Sequence, residues 1–286
     1  MLPLMALKHS NAPVTVGTFH TYFDQNIAYR WFMEKLVEQM DRMDGRIVVS
    51  DACVEALSRY FDTDYHVIPN GVDPDYFRPD AAMVPEFDDG KLNILFVGRF
   101  DPRNGLKTMI EAFKIVKKQY DNCRLIVVGD GPLRPYYRSL VGKEIAADVH
   151  FAGLLNGSRP HYYASADIYC SPCTKASFGV VLLEAMSSAK PIVASDINGY
   201  RLVMEDGKQG FLVEEQNPEA FARALLMLLK DPELRRRMGD AGREAVNGSF
   251  TWDLVAGQVE QLYLKLLGEE QAPPAPVREE AFALND

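Results

Sequence analysis

Cysteine, histidine and tryptophan are scarce in this chain of 286 residues, with 4, 5 and 2 copies respectively. So few cysteines exclude a disulfide framework, and a reducing, cytosolic compartment fits them better. The only close-spaced pair, Cys170-Ser171-Pro172-Cys173, ends an apolar strand, an ordinary place for buried free thiols, and no second pair or nearby histidines make it a zinc site. There is no basic surplus either: 31 Lys and Arg stand against 40 Asp and Glu, a net charge of −9. That balance argues against a nucleic-acid partner, because nothing is left over to neutralise phosphates along a strand. No apolar run reaches the ~18 residues that span a bilayer. The opening Met1-Leu2-Pro3-Leu4-Met5-Ala6-Leu7 lacks a basic lead and a small-residue cleavage site, and reads as the last turns of a helix entered partway. Walker, H-E-x-x-H, G-x-S-x-G and full G-x-G-x-x-G motifs are missing, which disfavours P-loop, zincin, α/β-hydrolase and dinucleotide chemistry.

Short apolar strands alternating with amphipathic helices are what the chain does contain. Val14 to Phe19, Arg46 to Val49 and Tyr65 to Ile68 read as three strands, the last cut by Pro69-Asn70-Gly71. A helix bearing Trp31, Phe32, Leu36, Val37 and Met40 lies between the first two, and Ser50 or Asp51 caps another. Residues 73–91 are rich in proline and acid with little periodicity, a linker pattern. Beyond it, strands at 93–98, 125–129, 149–151, 168–170, 191–194 and 210–213 are apolar throughout, as expected of a doubly wound parallel sheet covered on both faces. A final helix spans 252–267, and the tail after it, 269–286, is expected to be disordered. The domains follow: 1–72 with helix 252–267 packing back on it, a linker at 73–91, and a larger α/β domain at 92–250.

Ligands of such sheets bind at the carboxyl ends of the strands. The loop from Thr174 to Gly179 leads into a helix whose amino terminus, with N–H groups free around Gly179, suits a diphosphate. Glu184, one turn into that helix, can accept two hydroxyl hydrogen bonds, as a ribose diol requires, or can simply answer the helix dipole. Arg99, directly after a strand, can grip a diphosphate with two parallel hydrogen bonds or stand solvated, and Arg103 lies four residues on. Gly129-Asp130-Gly131-Pro132 admits a close ligand approach or is only a tight turn. His20, just past a buried strand, offers an imidazole able to contact an acceptor hydroxyl.

Several segments in order resemble the family 4 glycosyltransferases: Val67-Ile68-Pro69-Asn70-Gly71-Val72-Asp73, Phe96-Val97-Gly98-Arg99-Phe100, Val127 to Pro132, Val149 to Gly153, Ser177 to Met186 and Pro191 to Ser195. The stretch Gly17-Thr18-Phe19-His20-Thr21 is most similar to the phosphatidylinositol mannosyltransferase-like members. The resemblance implies the GT-B architecture: two facing Rossmann-type domains, here one complete and one partial, with the site between them. It implies a retaining hexosyltransferase that uses a nucleotide sugar without a metal or other cofactor, with mannose from GDP-mannose as the leading donor and UDP-glucose as the alternative. The acceptor would be a lipid or glycan. Arg99 would hold the diphosphate, Glu184 the ribose, and Ser177, Phe178, Gly179 and Val180 the sugar-phosphate pocket. Phe151 to Leu154 would border the base, and His20 would face the acceptor.

Three departures from the family pattern qualify that expectation. Asn104 stands before Gly105 where the family has Lys, so Arg103 would have to reach the phosphates. Ala176 stands eight residues before Glu184 where the family has a Glu on the donor sugar, and a methyl group accepts no hydrogen bond. The resemblance also implies opening strands of the acceptor domain and a glycine-rich loop that this sequence does not contain, which leaves a partial sheet: the start is misplaced, the chain is a fragment, or a partner completes it. These departures favour the alternative of a catalytically impaired nucleotide-sugar-binding or assembly protein. The setting is read as cytoplasmic, with peripheral contact to the inner face of the membrane where the acceptor is a lipid. Arg30, Trp31, Phe32, Lys35 and Leu36 could dock on a bilayer, but the interleaved Glu34, Glu38 and Asp41 favour a helix packed on the core.

Overall fold

Aliphatic runs bounded by Gly, Pro and Asp organise the chain into two parallel sheets. The computed structural model describes residues 7, 9–20, 33–155 and 157–269. Trp31, Phe32, Arg30 and the tail beyond residue 269 therefore lie outside the described residues.

The first sheet is built from β1 (Val16–Phe19), β2 (Gly45–Val48) and β3 (His66–Val67), in that order and all parallel. Helix α1 (Met33–Asp41) connects β1 to β2, and α2 (Asp51–Ser58) follows β2. Ser50 caps α2, its hydroxyl accepting from the Cys53 N–H at 3.3 Å, one of the two caps expected from the sequence.

The second sheet holds six parallel strands in the order β6-β5-β4-β7-β8-β9. In chain order these are β4 (Leu92–Val97), β5 (Cys123–Val128), β6 (Val149–Gly153), β7 (Ile168–Ser171), β8 (Ile192–Ser195) and β9 (Gly210–Val213). The intervening helices are α3 (Leu106–Lys117), α4 (Arg134–Val141), α5 (Arg159–Ser165), α6 (Val180–Ser187) and the short α7 (Asn198–Arg201). After β9 come α8 (Pro218–Lys230), α9 (Pro232–Ser249) and α10 (Trp252–Leu267). Alternate residues of each strand enter opposite cores, as the two-residue period dictates. Ile94, Leu125, Ile168 and Val193 join α3 and α8 on one face. Leu95, Ile126, Tyr169 and Ile192 pack with Leu182, Leu183 and Met186 of α6 on the other. Val48, Val49, Cys53 and Leu57 of the first unit belong to that same buried cluster, so the two units share apolar contact. Each such fully buried aliphatic side chain contributes about 1.5–3 kcal/mol of transfer free energy.

The chain returns to its first sheet at the end. Val72 and Thr251 form a parallel bridge, and the Val72 N–H donates to the Phe250 carbonyl at 2.8 Å. Val255 and Leu262 of α10 then bury against Ile47 and Ile68. Gly71 fits here because a Cβ would meet the Trp252 ring at 2.8 Å. The connection across 73–91 is packed in place. The Asp73 carboxylate accepts from the backbone of Asp75 and Tyr76 at 2.9 and 3.0 Å, and Phe77 and Phe87 are buried.

Candidate active site

Strand order reverses between β4 and β7, the topological switch point at which open α/β sheets bind ligands. The loops leaving these two strands are pinned to each other. The Thr174 N–H donates to the Arg103 carbonyl at 2.8 Å. Gly105 has φ +74°, and a Cβ there would lie 1.8 Å from the Pro172 carbonyl oxygen. Gly129, at the end of β5, has φ +137°, and its Cβ would lie 1.9 Å from the Gly98 oxygen. Only glycine permits either approach. Gly129 therefore holds neighbouring loops together, while its N–H is taken by the Gly153 carbonyl at 2.9 Å.

Two arginines stand at this edge. Arg99 is exposed, and among the described residues no ion pair or hydrogen bond engages its guanidinium. Arg103 is also exposed, with Asp101 only at 3.7 Å. Asn104 does not face outward as a lysine would, because its amide donates to the Arg99 carbonyl at 2.8 Å and stiffens the loop. Helix α6 begins at Gly179, φ +106°, with no side chain capping it, so its first N–H groups and dipole face the same crevice. A Cβ on Gly179 would meet the Tyr200 ring at 2.8 Å, and the Tyr200 hydroxyl is bonded to Ser171 at 2.7 Å. That buried tyrosine supports the turn from beneath.

Glu184 lies one turn into α6 with only 4% of its side chain exposed. Burial pushes its carboxyl up, and the Arg159 guanidinium and the Tyr163 hydroxyl partly offset this. Arg159 Nη1 stands 3.1 Å from Oε1, and Tyr163 donates to Oε2 at 2.8 Å. Neither partner was legible in the sequence. They lie 25 and 21 positions upstream, and only the crossover of α5 brings them back.

The remaining candidates divide by exposure. Val180 is exposed and Leu154 is 71% exposed at the end of β6, both open to a ligand. Phe151 is half-buried against Phe100 and under the Arg138 guanidinium. Phe178 is buried against Phe250, so its ring supports the loop from inside. The Ser177 carbonyl accepts a hydrogen bond from the Ser50 hydroxyl at the carboxyl end of β2. The Asn198 amide reaches Glu55 at 3.5 Å nearby. These contacts set the carboxyl ends of the two sheets against each other. His20 is exposed at that same end of the first sheet, one residue beyond β1. Ala176 is partly buried, and its carbonyl crowds Gly199.

Cys170 is fully buried and Cys173 nearly so, and burial raises both thiols. Among the described residues no three His, Cys, Asp or Glu side chains are grouped to hold a metal. No described helix is long and apolar enough to cross a membrane.

Known proteins share this pattern. Residues 78–245, more than half of the chain, match the model "Glycosyl transferases group 1", and residues 1–76 match "Glycosyltransferase Family 4". The phosphatidyl-myo-inositol mannosyltransferase of Mycobacterium tuberculosis is 34% identical over 274 residues, 93% of this chain and 71% of that protein. The GDP-mannose-dependent alpha-(1-6)-phosphatidylinositol monomannoside mannosyltransferase of the same organism is 31% identical over 67% of this chain and 54% of its own length. Among solved structures, sucrose-phosphate synthase from Thermosynechococcus elongatus superimposes with a TM-score of 0.73 at 27% identity, covering 89% of this chain and 68% of that one. The chain therefore belongs to the group 1 and family 4 glycosyltransferases, the hexose-transferring enzymes of the GT-B fold.

Proposed function

We propose that this chain transfers a hexose with retention of configuration, mannose from GDP-mannose, to a lipid or glycan acceptor. One observation supports the reading: exposed Arg99 and Arg103 follow β4 and the uncapped start of α6 follows β7, the two strands that flank the switch point, while His20 follows β1 at the carboxyl end of the first sheet. The diphosphate of the donor sits against Arg99, Arg103 and the N–H groups at Gly179 and Val180. Glu184 accepts from the ribose, and Phe151 and Leu154 border the base. The bond from the sugar's anomeric carbon to the diphosphate breaks as the acceptor oxygen attacks the same face. The acceptor proton passes to the departing phosphate oxygen, while Arg99 stabilises the charge gathering there. His20 orients the acceptor hydroxyl. This scheme calls for no metal, because the positive groups named supply the field. A lipid acceptor, the class that the mannosyltransferase relatives' names give for those proteins, would bring the chain to a membrane surface.

A second reading, a nucleotide-sugar binder with little turnover, rests on Ala176, which offers the sugar no acceptor, and on Asn104, whose amide is spent on the Arg99 carbonyl. Hydrolysis or transfer assays with GDP-mannose and UDP-glucose separate the two. Turnover excludes the binding-only reading. Binding without turnover that is restored by combined Ala176→Glu and Asn104→Lys supports decay of an enzyme. Failure of every nucleotide and nucleotide sugar to bind overturns both.

A further inference from the structure

We infer that Arg159 and Tyr163 are positioning residues that hold the Glu184 carboxylate ionised and oriented for a vicinal diol. The inference rests on the ribose reading of Glu184 and extends it to residues that do not touch the ligand themselves.

A carboxylate this buried is unstable as an anion unless it is paired and hydrogen-bonded. Arg159 and Tyr163 are spaced i, i+4 on α5 and therefore share one face of that helix. Together they reach both oxygens: Arg159 Nη1 stands 3.1 Å from Oε1 and 3.5 Å from Oε2, and the Tyr163 hydroxyl donates to Oε2 at 2.8 Å. An arginine only donates, and this tyrosine donates to an acceptor, so both favour the charged form of Glu184. Two carboxylate oxygens offer about four lone-pair directions, so acceptor capacity remains for a ribose hydroxyl.

The two partners differ in depth. Tyr163 is fully buried and forms the floor, whereas the Arg159 side chain is 42% exposed and stands at the mouth. Phe77 wedges both in place, its ring 5.8 Å from the Arg159 guanidinium carbon and 5.5 Å, edge-on, from the Tyr163 ring. Phe77 comes from the connection across 73–91, so that segment contributes to the ribose end of the site. The other titratable group facing this carboxylate is Tyr169 of β7, fully buried, its ring 5.6 Å from Tyr163. No second cation accompanies Arg159 among these neighbours, so removing it leaves Glu184 with hydroxyl partners alone.

The test compares affinity for GDP with that for 2′,3′-dideoxy-GDP, or the UDP pair if UDP binds more tightly, by titration calorimetry. The wild-type protein is expected to prefer the ribonucleotide by about tenfold or more, because a site built for hydroxyls penalises their loss. Glu184→Gln should abolish that preference. Tyr163→Phe and Arg159→Ala should each reduce it several-fold while leaving dideoxynucleotide affinity unchanged, with Arg159→Lys partly restoring it. In Arg159→Ala the preference should also fall as pH is lowered, because a carboxyl without its cation takes up a proton more readily. Thermal unfolding checks that the variants are folded. If Glu184→Gln loses the preference while Tyr163→Phe, Arg159→Ala and Arg159→Lys all keep it, the inference is overturned and the ribose reading stands. If Glu184→Gln keeps it, or no nucleotide binds, the ribose reading falls and this inference falls with it.

Discussion

The two units of this molecule are built to different tolerances. The six-stranded sheet is covered on both faces, and glycines that admit no side chain lock its loops at the carboxyl edge. The three-stranded sheet ends in a strand of two residues and relies on α10 for one of its faces. A locked edge like that of the six-stranded sheet suits stabilisation of a charged leaving group, since the groups that stabilise developing charge must not reorganise. The comparison also assigns cost: a defect in the large unit should unfold the molecule, while one in the small unit should spare the nucleotide.

The largest effect is expected at Gly129. Gly129→Ala places a Cβ against the Gly98 carbonyl at a positive φ, and should lower stability by about 3 kcal/mol or more in urea unfolding. Gly257→Ala in α10, where a Cβ meets nothing within 4 Å, should instead be neutral or stabilise by up to about 1 kcal/mol. Similar losses at both positions would erase the contrast. Next comes Leu262→Ala, which empties the small core under α10 and should cost about 2–3 kcal/mol. Nucleotide affinity measured well below the unfolding temperature should survive it. Joint loss of binding and stability would mean that the two units are a single cooperative block.

The smallest effect is a pH dependence at the opposite, amino edge of the large sheet. Burial pushes the Asp148 carboxyl up, but hydrogen bonds from Lys117 and Lys91 outweigh it and hold the group below the ordinary aspartate range. A lowered folded value contributes stability above the unfolded pKa that disappears as pH falls through the folded one. Asp148→Asn should therefore flatten the acid limb of a stability-versus-pH curve and leave carboxyl-edge binding untouched.

Much of this was legible in the sequence, for definable reasons. Strands buried on both faces are continuous apolar runs, so β4, β5, β7 and β8 stand out and the parallel sheet follows from them. Turn glycines mark Gly105, Gly129 and Gly179 because their chemistry is local. Residues 73–91 read as a linker because proline and acid hide periodicity, yet Phe77 and Phe87 are buried, and those aromatics were the available signal. The partners of Glu184, the contact of Ser50 with Ser177 and the turn of Asn104 onto Arg99 depend on crossovers and loop closure that no spacing encodes.

The exposed edge at Arg99 and the start of α6 should together bind a nucleoside diphosphate. Calorimetric titration of GDP and UDP into the wild-type protein and into Arg99→Ala tests it most directly. Saturable binding of at least one nucleotide is expected, weakened about tenfold or more in the variant, the range set by loss of a charge-assisted hydrogen-bond pair. Equal affinity in the two proteins, or no binding by either, would contradict it.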